Sequence, residues 1–169
     1  GRYLANSIIV TAATILIVCI ASLMASYALI RMKWKLQKTF QLIFIMGITI
    51  PIHAALLPVF IMMRQVHLIN TYWCLIIPYS AFAVPMAIMI SSGFISSIPV
   101  ELEEAAAIDG CSRMGIFWRI VFPLLKPVTM TVVVLSALGI WNDYQIALVV
   151  VSKEAVRTLP VAQQSFIGQ

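Results

Sequence analysis

Acidic side chains number only six in this 169-residue sequence, and three of them, Glu101, Glu103 and Glu104, open one charged island, residues 101–123, ELEEAAAIDGCSRMGIFWRIVFP. Carboxylates grouped in this way suit the positive end of a helix dipole, and Pro99 suits a first helical position, so a helix is predicted to begin here. Leu102, Ala105, Ala106 and Asp109 fall at i, i+3, i+4 and i+7 and give that helix a narrow, small-sided face. Gly110 then offers a left-handed C-terminal cap. Ser112 is placed to cap a second short helix with Met114, Phe117 and Val121 on one stripe, and Pro123 ends or kinks it. Two short helices at a sharp angle, set between long apolar segments, are suited to docking against a soluble partner.

Other polar residues stand alone. Asp143 is the one acid inside an apparent apolar span, with Asn142 beside it; an intramembrane carboxylate is costly and faces a cavity or a partner, or else sits wetted at the interface, where Trp141 and Tyr144 are suited to an aromatic belt. His53 lies deep in another apolar run with Thr49 one turn away, and is either a packing residue or a hydrogen-bond partner for a polar solute. No residue is assigned a catalytic role: the sequence contains no G-x-x-x-x-G-K-[ST], H-E-x-x-H or G-x-S-x-G pattern. His53 and His67 stand fourteen apart and make no metal pair, so no metal site is expected. Cys19, Cys74 and Cys111 are scattered and give no disulfide framework.

The elements that hold these residues are apolar. The chain is 62% hydrophobic and 10% charged, the composition of an all-α, polytopic transmembrane helical bundle in a lipid bilayer. Residues 3–30, 39–63, 65–100 and 127–142 lack Lys, Arg, Asp and Glu. Spans are predicted near 4–30, 40–63, 72–97 and 127–151, each longer than the roughly 20 residues that cross a bilayer core. The first is too long for a secretory signal, and basic residues follow it. Arg31, Lys33, Lys35 and Lys38 flank the first turn whereas the second holds only Arg64 and His67, which places the first turn in the cytoplasm. Counting spans puts the loop 99–126 on the same side and residues 152–169 outside. At 1.5 Å per residue Asp143 lies about 24 Å along the fourth span, toward its outer end. Pro51, Pro58, Pro78 and Pro85 are candidates for bends or for packing alone. The net charge of +5 needs no nucleic acid to account for it.

In residues 104–123 the sequence resembles the permease subunits of binding-protein-dependent ABC importers, whose cytoplasmic loop reads E-A-A, three residues, G, nine residues, I-x-L-P. Glu104-Ala105-Ala106, Gly110 and Ile120-x-Phe122-Pro123 keep that spacing, with Phe122 in the place of leucine. The resemblance implies the ABC importer type I permease fold with a short coupling helix, as one transmembrane domain over 1–169. It implies that Glu104, Ala105, Ala106, Ile108, Asp109, Gly110 and Pro123 form the element that docks on an ATPase subunit. ATP-Mg and its hydrolysis would then belong to that partner, leaving this chain without a cofactor of its own.

Asn6-Ser7, the run IPVELEEAAAIDG, Trp141-Asn142-Asp143 and Arg157-Thr158-Leu159-Pro160-Val161 are similar to the carbohydrate branch of the maltose and glycerol-phosphate type. That branch implies a sugar or related polar solute, an unlike second permease subunit forming a heterodimer, an extracytoplasmic solute-binding protein, and a bacterial or archaeal inner membrane. His53, Asn142 and Asp143 are the candidate pathway residues. Such permeases have six spans, so a first and a last span are expected beyond this sequence. The alternatives are an ABC permease for a non-sugar solute, a secondary transporter using Asp143, and a membrane scaffold or enzyme.

Overall fold

The structure, a computed structural model, describes residues 1–167, with side chains through residue 164. Two long helices, α1 (Arg2–Arg31) and α4 (Trp73–Ser97), form its centre. Each is long and apolar enough to cross a membrane. They run parallel: Tyr72, which precedes α4, hydrogen-bonds Asn6 near the start of α1, and Arg31 at the end of α1 reaches Ile95 and Ile98 at the end of α4. Thr14, Val18, Ser22 and Ser26 recur every fourth residue on α1 and are wholly buried. Such small side chains let two apolar helices approach closely where lipid offers no hydrophobic drive between them. Ser26 Oγ donates to the Ile88 carbonyl at 3.1 Å across this contact.

The helix predicted over 40–63 is not continuous. It is broken into α2 (Gln37–Thr49) and α3 (Ile52–Gln65), bent by 105°. The cause is local: a residue before proline is driven out of the helical region, and Ile50 takes ψ 115° ahead of Pro51, itself at ψ 130°. The helical face shared by Thr49 and His53 is thereby lost. Pro58, Pro78 and Pro85 lie within continuous helices. Gly47 lets α2 lie against α4, since a Cβ there would stand 3.0 Å from Pro85 Cγ.

The helix predicted over 127–151 is not continuous either. Helix α8 (Lys126–Asn142) ends where Asp143 becomes extended, and α9 (Gln145–Val150) follows after Tyr144. The Asp143 carboxylate accepts from Ile146 N–H at 3.2 Å, a local bond that competes with continued helix. Between α4 and α8 the chain forms α5 (Glu101–Ile108), α6 (Arg113–Ile116), a π-helical turn (Phe117–Val121) and α7 (Phe122–Leu124). The segment Arg113–Leu124 meets α8 at 72°. A 3₁₀ turn (Glu154–Val156) and α10 (Leu159–Ile167) complete the described chain.

Apolar cores form at both ends of the bundle. One joins Leu23 and Tyr27 of α1, Ile95 of α4, Ala106, Phe117, Val121 and Val128; the other joins Val10, Met63, Leu75, Tyr79, Ile146 and Val161. The first is the end that carries Arg31 and residues 99–126, which the sequence assigned to one side. Between them Val18, Ala87 and Val132 pack α1, α4 and α8 together. Helix α2 buries no residue, as befits an apolar helix facing lipid or another subunit rather than water.

Candidate functional site

At the basic end, α5 closes with the hydrogen-bond pair of a Schellman motif. Cys111 N–H donates to Ala106 O at 3.0 Å and Gly110 N–H to Ala107 O at 3.1 Å, with Gly110 at φ +82°. Ser112 Oγ accepts from Gly115 N–H at 3.2 Å and caps α6. The left-handed cap and the serine cap therefore stand where the sequence places them. Pro99 does not: it lies two residues before α5, and Val100 is the N-cap.

The face of α5 is resolved residue by residue. Ala106 is 7% exposed, whereas Ile108 is 87% exposed. Leu102, Glu104, Ala105 and Asp109 are exposed with it, so the small-sided face predicted from spacing is mostly presented outward, and Ala106 alone of that set packs inside. The predicted stripe on the second helix is likewise shifted. Phe117 and Val121 are buried but Met114 is 55% exposed, and Ile116 takes the inner place. Pro123 is exposed and is the second residue after the π-turn. Its ring crowds the carbonyl four residues earlier and it offers no N–H, so the widened winding before it has a direct cause.

Contacts that the sequence did not reveal hold this corner to the bundle, and of the residues that make them Tyr27 was passed over altogether. Arg31 Nε lies 2.8 Å from Glu103 Oε1, Tyr27 Oη donates to Glu103 Oε2 at 2.8 Å, and the Tyr27 and Phe117 rings pack with centroids 5.1 Å apart. The available signal was the helical spacing of Tyr27 and Arg31, four residues apart on one face.

A second candidate lies along the bundle, in a half-open space whose wall includes the half-exposed Met86 and Leu135. A cavity of about 230 Å³ runs between α4 and α8, lined by Phe82, Met86, Leu135, Ser136 and Gly139 among others, with Tyr79 and Asp143 at the end remote from Arg31. Tyr79 Oη donates to Asp143 Oδ2 at 2.8 Å. Of the predicted pathway residues only Asp143 lines the cavity. Asn142 is exposed and donates to Leu138 O at 2.8 Å. His53 is exposed and lies outside the lining, although its neighbour Ile52 is part of it. Tyr79 and Ser136 were the polar lining residues missed; nothing in their local pattern distinguishes them from other residues of apolar helices.

At the same remote end, Asn6 donates to Ala155 O and Arg157 O, each at 2.9 Å, and accepts from Tyr72 Oη at 2.8 Å. Leu159 N–H donates to Ser7 Oγ at 2.9 Å. Two separated stretches that carried the carbohydrate-branch resemblance, Asn6-Ser7 and residues 157–161, are thus in direct contact.

The chain is 38% identical over its whole length to the melibiose/raffinose/stachyose import permease protein MelC of Bacillus subtilis, covering 62% of that protein. It is 38% identical over 97% of its length to the probable starch degradation products transport system permease protein AmyC of Thermoanaerobacterium thermosulfurigenes, covering 60% of it. It is 34% identical over its whole length to the multiple sugar-binding transport system permease protein MsmG of Streptococcus mutans, covering 62% of it. The chain thus spans about three-fifths of the length of these relatives. Residues 6–167 match the model of the binding-protein-dependent transport system inner membrane component. With an all-helical apolar bundle, a capped helical corner at one end and this match over nearly every described residue, the chain belongs to the family of binding-protein-dependent transport system inner membrane components.

Proposed function

We propose that this chain is part of a transmembrane permease subunit of an ATP-driven importer for a sugar or related polar solute. The observation that carries the proposal is the outward face of α5: Ile108, 87% exposed at the tip of a helix whose end is set by Gly110, projects from the basic end of an otherwise lipid-suited bundle. An exposed apolar side chain on a short, rigidly capped helix is the kind of anchor that a groove on another protein receives. In this reading Glu104, Ala105, Ile108 and Asp109 meet the ATPase subunit. Ala106 anchors the element from within, and Gly110 and Pro123 shape its turns.

ATP-Mg is held and hydrolysed by that separate subunit. A second, unlike permease subunit covers the exposed apolar helices that lipid does not, and an extracytoplasmic solute-binding protein delivers solute to the end bearing Asn6 and Asp143. The sugar class is supported by the names of MelC, AmyC and MsmG. The Asp143 carboxylate is already engaged by Tyr79 and Ile146, which favours a structural acid over the ion site of a secondary transporter.

Ile108→Asp tests the reading. The side chain makes little contact within the chain, so the variant should insert and fold normally. It is expected to lose both co-purification of the ATPase subunit and ATP-driven uptake. Retention of both would overturn the proposal.

A further inference from the structure

Helix α5 has little apolar attachment of its own. It buries only Ala106, and it is joined to α4 through residues 98–100, where Ile98 is extended with ψ 128°. Left to that connection, α5 could turn only about the ψ angles between Ile98 and Val100, since the Pro99 ring fixes its φ. The Arg31 side chain bridges that connection. Its Nε lies 2.8 Å from Glu103 of α5, while Nη2 donates to the Ile95 carbonyl at 2.9 Å and to that of Ile98 at 2.5 Å. A guanidinium on the last carbonyls of a helix also suits the negative end of its dipole.

Glu103 is held a second time, by Tyr27 one turn earlier on α1, and the Tyr27 ring packs on Phe117 of the π-turn. The Arg31 and Glu103 side chains are 13% and 12% exposed. At that burial the ion pair is weakly screened by salt; Arg31 Nε and Glu103 Oε1 are close without hydrogen-bond geometry, whereas the bond from Tyr27 Oη to Glu103 Oε2 has an ionised acceptor and is stronger than a neutral one.

We propose that Arg31, Glu103 and Tyr27 form a clamp that makes α5 move as one body with the ends of α1 and α4. A displacement applied at Ile108 then reaches the α4–α8 cavity and is not absorbed at Pro99. These are positioning residues: they act through α5 and touch neither solute nor nucleotide. The inference rests on the coupling reading of α5 given above. It goes beyond the E-A-A glutamate of the resemblance, since Glu104 is exposed and Glu103 is the one turned inward.

The test uses the assembled complex of both permease subunits and the ATPase, with Ser136→Cys in the cavity wall as reporter. The probe is a charged methanethiosulfonate reagent, and two quantities are read: ATP hydrolysis per complex, and the change in labelling rate on adding ATP and vanadate. With the clamp intact, the labelling rate changes with nucleotide. Glu103→Gln is expected to keep hydrolysis within about twofold while the labelling response shrinks by about fivefold or more, the low end of allosteric coupling.

Tyr27→Phe keeps the ring on Phe117, removes only the hydroxyl, and is expected to show a smaller loss of the same kind. If Glu103→Gln fails to assemble, this variant carries the test. A merely structural role would lower the amount of complex and leave the response per hydrolysing complex unchanged. An unchanged response in assembled variants overturns the clamp alone. No response to nucleotide with the clamp intact overturns the coupling reading, and the clamp with it.

Discussion

Gly110 is constrained by its backbone and not by its neighbours: φ is +82°, and no atom stands within 4 Å of where a Cβ would be. Gly110→Val should therefore destabilise the end of α5 by about 1–2 kcal/mol through left-handed strain alone, whereas Gly110→Asn, which tolerates that region, should lose less. Protease sensitivity of residues 99–126 in the membrane-inserted protein measures the difference. Asn6 is the opposite case, a buried amide with three hydrogen bonds to residues far away in sequence. Asn6→Ala strands the carbonyls of Ala155 and Arg157 and should cost about 1–3 kcal/mol, read as a lowered unfolding temperature of the detergent-purified protein. The glycine was legible in the sequence because a positive φ at a helix end selects for that residue. The choice between Glu103 and Glu104 was not: their chemistry is the same, and only the helix phase set by the burial of Ala106 turns one of them toward Arg31.

Hydropathy reads how much apolar helix exists and not where it changes direction. It located α1 and α4 to within a few residues, because neither holds a proline-driven break. It read 40–63 and 127–151 as continuous, and both are interrupted. Pro51 was among the candidates for bending, yet Pro58, Pro78 and Pro85 carry the same residue type without a break. What distinguishes Pro51 is the extended pair Ile50-Pro51, stable only because α2 and α3 then pack separately, α2 on α4 and α3 near α9. Pro51→Ala lifts the restriction on Ile50. The angle between α2 and α3 should open from 105° toward a straighter helix. Spin labels near Lys38 and Arg64 should move apart in bilayers; an unchanged distance would mean that packing holds the bend without the proline.

The whole molecule presents apolar side chains outward along its length, Leu16, Leu57, Met89, Met130 and Leu138 among them. Trp34 and Trp118 are exposed at the Arg31 end and Trp73 at the other, the placement of interfacial aromatic anchors. The charge bias that oriented the loops was legible because few other charges compete with it, and the structure joins Arg31 to residues 98–103 at one end. The cavity between α4 and α8 was not legible, since its lining comes from residues that are distant in sequence and mostly apolar.

The central claim is that α5 meets an ATPase by its outward face, and single cysteines on its two faces test it most directly. With the ATPase subunit and second permease co-expressed, Ile108→Cys, at a site 87% exposed, should crosslink to the ATPase in a nucleotide-dependent manner. Ala106→Cys, at a site 7% exposed, should not. Crosslinking from Ala106 alone, or from neither position with the assembled proteins present, would contradict the account.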